Sequence, residues 1–196
     1  MVRSMTTPRN ILSLILSAAM ICSMPRISRA QSAASDPNAD LRNLALVATA
    51  STSYVSPDQT LGALNDDLMY GGRAGRASLP HYGNWPRGGT QWVEYSWPKP
   101  ISTNKVDVLW WADGQELRLP KAWRVKYWDG KSLVEVPNPK GLGVDGNTFN
   151  VTTFDEITTT RIRLEIDAAD EPPISTGITE FRVFDSGKSP AFHPIV

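Results

Sequence analysis

Thiol chemistry is almost missing from this chain of 196 residues, which has one cysteine, Cys22. Cys22 falls in an N-terminal stretch that reads as a leader. The exported chain would then carry no thiol and no disulfide, and its fold must rest on its core. Histidine is nearly as scarce, with only His81 and His193. His193 stands in a proline-containing tail, so a Ser-His-Asp arrangement would have only His81 to recruit. No G-x-S-x-G elbow and no H-E-x-x-H pair occurs. No Gly-rich phosphate loop follows a strand and opens a helix. Glycoside cleavage needs two carboxylates about 5 to 10 Å apart across a cleft. Asp66 with Asp113 or Glu180 would qualify by residue type, but no pattern selects them. The sequence therefore reads as that of a protein that is not an enzyme.

An excess of charge is also missing: twenty Lys and Arg balance twenty Asp and Glu. Four of the bases, Arg3, Arg9, Arg26 and Arg29, stand in the first thirty residues, which have no acid. Beyond them, sixteen bases face twenty acids, a formal charge of −4. Neither nucleic acid nor an anionic membrane surface is an expected partner. The apolar run Ile11 to Met24 has the length of a signal-peptide core, with Arg3 and Arg9 before it and Ser28-Arg29-Ala30 after it. Residues 1–30 thus read as a signal peptide cleaved after Ala30, with an uncleaved anchor as the competing reading. Ile21 before Cys22 argues against a lipoprotein. The expected location is secreted or periplasmic in a bacterium, with no membrane span after cleavage. Residues 31–40 are small and polar and read as a flexible linker, and 186–196 as a loose C-terminal tail. One domain remains, residues 41–185.

What this domain has is tryptophan and alternation. The stretch from His81 to Trp111 holds five of the seven tryptophans. Val93, Tyr95 and Trp97 share one face; Val106, Val108 and Trp110 alternate with Lys105, Asp107 and Leu109, and Trp123, Val125 and Tyr127 with Arg124, Lys126 and Trp128. Arg161 to Ile166 alternates charge with aliphatic without a break. Asp129-Gly130 reads as a hairpin turn. Leu44 to Ser53 reads as a first strand, Thr60 to Leu64 as one short helical turn, and Asn65 to Pro86 as a long loop. Gln91 to Trp97 and Lys105 to Trp111 read as two strands flanking a Pro-Lys-Pro turn. The sum is an all-β fold, an antiparallel sandwich of about eight short strands.

Two kinds of site residue stand out. Trp92, Trp97, Trp110 and Trp123 sit in alternating strands and read mostly as core. Trp85 sits in a loop and Trp111 breaks the alternation, so these two are candidate platforms for the C–H face of a sugar. His81, Tyr82 and Arg87 on one loop, and Asp113 and Gln115 on another, could meet its hydroxyls. The bland alternative for each is packing or solvent exposure. Asp167 to Glu171 is a candidate rim. Asn150-Val151-Thr152 is a glycosylation sequon in a strand, expected to be unused.

Four segments in order carry a family resemblance: Ala48 to Tyr54, Ala63-Leu64-Asn65-Asp66-Asp67, Gln91 to Tyr95, and Thr179 to Phe184. The chain resembles the discoidin, or coagulation factor V/VIII type C, domain, a galactose-binding-like jelly roll that includes many carbohydrate-binding modules. It is similar in particular to a module appended to bacterial glycosidases of the β-L-arabinofuranosidase type, through Trp85-Pro86-x-x-Gly89-Thr90-x-Trp92 and Leu119-Pro120-x-x-Trp123. The resemblance implies a carbohydrate ligand, a partner glycosidase, and a structural calcium ion held by Asp66 and Glu180 with Asn65. The family's turn has glycine where this chain has Asp67, a position that favours left-handed backbone. A protein-interaction module on the same fold, or a small glycan hydrolase, are the rival classes.

Overall fold

The computed structural model describes residues 41–68, 80–171 and 174–191. All of them belong to one unit of the chain, 35–196. Residues 1–30, read as a signal peptide, residues 31–40, read as a linker, and His193 lie outside the described residues.

Eight strands form the domain: β1 (Thr49–Thr52), β2 (Tyr82–Gly83), β3 (Thr90–Trp111), β4 (Leu117–Arg118), β5 (Ala122–Trp128), β6 (Leu133–Glu135), β7 (Phe149–Asp167) and β8 (Ser175–Asp185). The pairing is antiparallel except where β4 meets β8. The expected antiparallel sandwich is what the chain forms, but not from eight short strands. Two strands are long and bent. β3 pairs with β7 along both their lengths, and the register shifts where Ser96↔Arg161 gives way to Ile101↔Thr159. Four residues of β3, Trp97 to Lys99 and Pro100, there oppose a single residue of β7. The Pro-Lys-Pro segment is therefore a corner, not a hairpin turn. It carries one strand from the first layer into the second, since proline removes ladder donors and is accommodated at bulges.

The first layer contains β1, the N-terminal half of β3, the C-terminal half of β7, β5 and β6. The second contains β2, β8, the C-terminal half of β3 and the N-terminal half of β7. Their inner faces meet in one core cluster that includes Val93, Tyr95, Trp97, Val108, Trp110, Trp123, Ile166 and Phe181. Tyr95 from the first layer stacks on Phe181 from the second at 4.8 Å and 9°. Such a pair contributes about 0.5–1.5 kcal/mol beyond its buried area. The Tyr95 hydroxyl lies 2.7 Å from the Leu64 carbonyl and 3.0 Å from that of Phe181, and donates between them.

The core half of the tryptophan reading holds for Trp97, Trp110 and Trp123, all buried. Trp92 is a correction. It alternates with Val93 and Tyr95, so it lies on the opposite face, half-buried under the Arg163 guanidinium at 4.0 Å. The expected first strand also divides. Asn43 accepts the Ala45 N–H and caps a 3-10 turn over Leu44–Val47, so only Thr49–Thr52 pairs. The helical turn is present as a 3-10 helix, Leu61–Asn65. The segment read as a loose tail is tied down at its start: Ser102 N–H donates to Ser189 Oγ at 2.9 Å, and Ser189 Oγ donates to Ser102 O at 3.1 Å. The sequon residue Asn150 is buried, bonded through its amide to both Asp145 backbone groups.

Candidate functional site

One end of the sandwich is built by the loops that follow β2, β3 and β7. Trp110 and Trp123 anchor it from below. Their rings meet edge to face at 5.5 Å, and both indole N–H groups donate to the Gly143 carbonyl, at 3.2 and 2.7 Å. Above them, Ala168 N–H donates to Gly89 O, Ser175 Oγ donates to Arg87 O, and Thr90 Oγ1 donates to Asp167. Loops that are far apart in sequence are thereby stitched to one rim.

The turn after β2 carries Trp85 and Arg87. Asn84, buried, accepts the Thr176 N–H on its side chain at 2.8 Å, which fixes the turn to β8. Ser56 Oγ donates to the carbonyls of Trp85 and Gly83. The backbone is therefore held while Trp85 stays 42% exposed. Arg87 is exposed, and its guanidinium lies over the Tyr54 ring at 4.9 Å. A ring so placed fixes the cation without consuming all its donors.

His81 and Trp111 come together as a second group, with ring centroids 5.0 Å apart and tilted by 34°. Trp111 lies across from Gly177 on β8, whose other neighbour is Gly83 of β2. A Cβ on Gly177 would fall 2.9 Å from the Trp111 carbonyl and 3.0 Å from its ring. A Cβ on Gly83 would collide with the Gln59 amide at 1.8 Å. The two glycines thus leave room for the indole and the amide. Among the described residues, Trp111 Nε1 and Gln59 Oε1 are both buried without a partner. Gln59 gave no signal in the sequence, because only its approach to a glycine from another element marks it.

Tyr82 is a correction. It is fully buried, its hydroxyl donates to Tyr54 O at 2.9 Å, and it lies 3.0 Å from Thr52 Oγ1. Burial pushes its phenol up to about 12. A two-residue strand turns it inward, so it offers no face to a ligand. Asp113 shapes its loop: its Oδ1 accepts the N–H groups of Gln115, Glu116 and Leu117 at 2.7, 2.9 and 3.0 Å. Burial pushes its carboxyl up, but those three donors together hold it below the usual carboxylate range. Gln115 is exposed at the tip of that loop.

The expected metal residues lie around the 3-10 turn Leu61–Asn65. Asn65 donates its amide to Ala45 O at 2.7 Å, and Asp66 Oδ1 accepts the Leu68 N–H. Asp67 stands at φ 56, the left-handed backbone that the glycine of the related turn implies. Glu180 is fully buried, and among the described residues neither carboxylate oxygen has a hydrogen-bond partner of good geometry, the Asp67 backbone N–H being the nearest donor. Its pKa is pushed up to about 9, by burial first and then by the charges of Asp66 and Asp67. Among the described residues the cation acting on it is Arg182, which is committed to Asp107 through Nε at 2.8 Å and Nη2 at 2.6 Å. An orphaned carboxylate beside two acids fits a bound cation. Among the described residues no three His, Cys, Asp or Glu side chains gather as a metal cage, so carbonyls would have to complete any shell.

No protein family and no curated protein matches the sequence. Solved structures do match the fold. One is from the Streptococcus pneumoniae beta-galactosidase BgaA, at TM-score 0.61 and 20% identity, over 70% of this chain and 92% of that one. Another is chitosan-binding module 1 of a chitosanase/glucanase from Paenibacillus sp. IK-5, at TM-score 0.56 and 18% identity, over 72% and 98%. A third is the family 32 carbohydrate-binding module of C. perfringens NanJ in complex with galactose, at TM-score 0.57 and 13% identity, over 72% and 96%. This chain accordingly has the galactose-binding-like sandwich fold shared by those modules.

Proposed function

We propose that this chain is an exported, non-catalytic carbohydrate-binding module. The observation that carries the reading is Trp85, a residue left 42% exposed on a braced turn at the loop end of this fold. Sugar recognition needs a flat apolar surface for ring C–H groups and planar polar groups for hydroxyls. Trp85 supplies the first, and Arg87, held over Tyr54, supplies the second. The His81–Trp111 pair is the second contact, and the loop fixed by Asp113 presents Gln115 toward the same rim. Solved modules of this fold bind chitosan or hold galactose, which supports a glycan as the ligand class. Export follows from the leader read in the sequence, and the enzyme served would be a glycosidase.

A structural calcium ion belongs to the same proposal. Glu180 and Asp66 would hold it, with carbonyls of the adjoining turn, and Asn65 is the third candidate. The ion would supply positive charge to a carboxylate whose neighbour Arg182 is already committed to Asp107. It takes no part in sugar recognition.

The test is calorimetric titration of the mature protein with plant and bacterial glycans, repeated with Trp85→Ala and Trp111→Ala. Binding that weakens in both variants supports the site. Absence of binding to every glycan overturns the function, and unchanged binding in both variants overturns the site.

A further inference from the structure

The described surface holds a concavity of about 470 Å³ that the proposed platform does not use. It lies between the connection from β3 to β5 and the loop after β7. Leu117, Leu119, Pro120 and Ala169 give it an apolar lining. Its charged members are Arg118, Lys121 and Asp170.

The three differ in what they are free to do. Lys121 Nζ pairs with Asp170 Oδ1 at 2.8 Å, with both side chains mostly exposed. Solvent screens such a pair, and a competing anion can displace it. Among the described residues Arg118 has no ion-pair, hydrogen-bond or ring partner. Every other described arginine is engaged: Arg42 with Asp185, Arg124 with Glu165 and Asp167, Arg163 with Glu94, and Arg182 with Asp107. Arg87 and Arg161 lie over the rings of Tyr54 and Trp128. An exposed guanidinium beside an apolar hollow is matched by a ligand with one carboxylate, which it can grip through two parallel N–H donors. The volume falls in the range of small-ligand sites.

We propose that this concavity is a binding subsite for a uronic acid unit of an acidic polysaccharide. The C–H face of the ring rests on Leu119 and Ala169, two partly exposed apolar residues of the lining, and Arg118 grips the carboxylate. Lys121 becomes a second cation for the ligand on leaving Asp170, so Asp170 restrains binding. The sugar part of the inference rests on the carbohydrate-binding reading; the preference for an acid does not.

The experiment titrates the mature protein with trimers of galacturonic, glucuronic and mannuronic acid, each beside its methyl ester. The ester keeps the ring and removes the charge. At least one acid should bind tenfold or more tightly than its ester. Arg118→Ala should bring that acid down to the ester's affinity, and Asp170→Asn should tighten its binding severalfold. A merely structural Asp170 would not tighten anything on removal. Equal affinity for acid and ester in all three pairs overturns the inference, as does a preference that survives Arg118→Ala. If acids and esters bind equally and Trp85→Ala abolishes both, this subsite fails while the carbohydrate-binding reading stands. If acids bind through Arg118 while neutral glycans do not bind, the subsite stands and the neutral-sugar platform fails.

Discussion

Glu180 makes the stability of this protein depend on pH and on cations in a way that can be worked out. With no cation bound, its carboxyl titrates near 9 in the folded state, against an ordinary value of 4.5. A folded-state pKa above the unfolded one means that the native state holds a proton that the unfolded chain has released. The stability this represents is fully present below the ordinary carboxylate range and is lost as pH rises toward 9. The slope over that window is about 1.4 kcal/mol per pH unit for one proton. Between pH 6 and pH 8 the loss is about 3 kcal/mol, or roughly 6–12 °C in melting temperature for a domain of this size. The assay is thermal unfolding of the mature protein and of Glu180→Gln at both pH values, in chelator and again in millimolar calcium. Glutamine cannot ionise, so the difference between the two proteins isolates Glu180 from every other titrating group. In chelator the wild type should lose about 3 kcal/mol more than Glu180→Gln, and calcium should erase that difference. Parallel pH dependences of the two proteins in chelator would show that Glu180 is charged and compensated in the fold, and the reasoning would fail. A difference that persists in calcium would refute the cation site alone.

Two further outcomes follow from buried polar groups. Asp107→Ala leaves Arg182 buried without its bidentate carboxylate, and should cost about 3–5 kcal/mol by urea unfolding; a loss under about 1 kcal/mol would show that the pair is not desolvated. Tyr82→Phe removes a hydroxyl bonded only inside the protein, so it should cost about 1 kcal/mol of stability. The same variant should leave glycan affinity unchanged, and a weakened affinity would return Tyr82 to the binding site.

The parts of the fold legible in the sequence are those written as alternation. Val93, Tyr95 and Trp97, and later Trp123 and Val125, point inward as their spacing requires. The corner at Pro98 and Pro100 was not legible, because a proline turn between two strands and a proline bulge within one strand look alike until the partner strand is seen. Here the partner is β7, whose unbroken run past Arg161 shows that β3 continues. Tyr82 was misplaced for a related reason. A two-residue strand has no period, and only its pairing with Ile178 shows which way the ring turns. Trp92 was the reverse case: its own alternation with Val93 put it on the outer face, and its residue type argued for the core. At the candidate site, the exposed Trp85 and the loop position of Arg87 were legible. The contacts that give the rim its character, Gln59 over Gly83 and Arg87 over Tyr54, join residues too distant in sequence for any spacing to show.

The central claim, that a glycan stacks on the loop end of the sandwich, is tested most directly by one titration. An exposed aromatic anchor contributes about 2 kcal/mol or more to binding, near thirtyfold in affinity. Calorimetry of the mature protein against a glycan that binds it should show that loss in Trp85→Ala, with the melting temperature preserved. An affinity unchanged in Trp85→Ala, with binding intact, would contradict it.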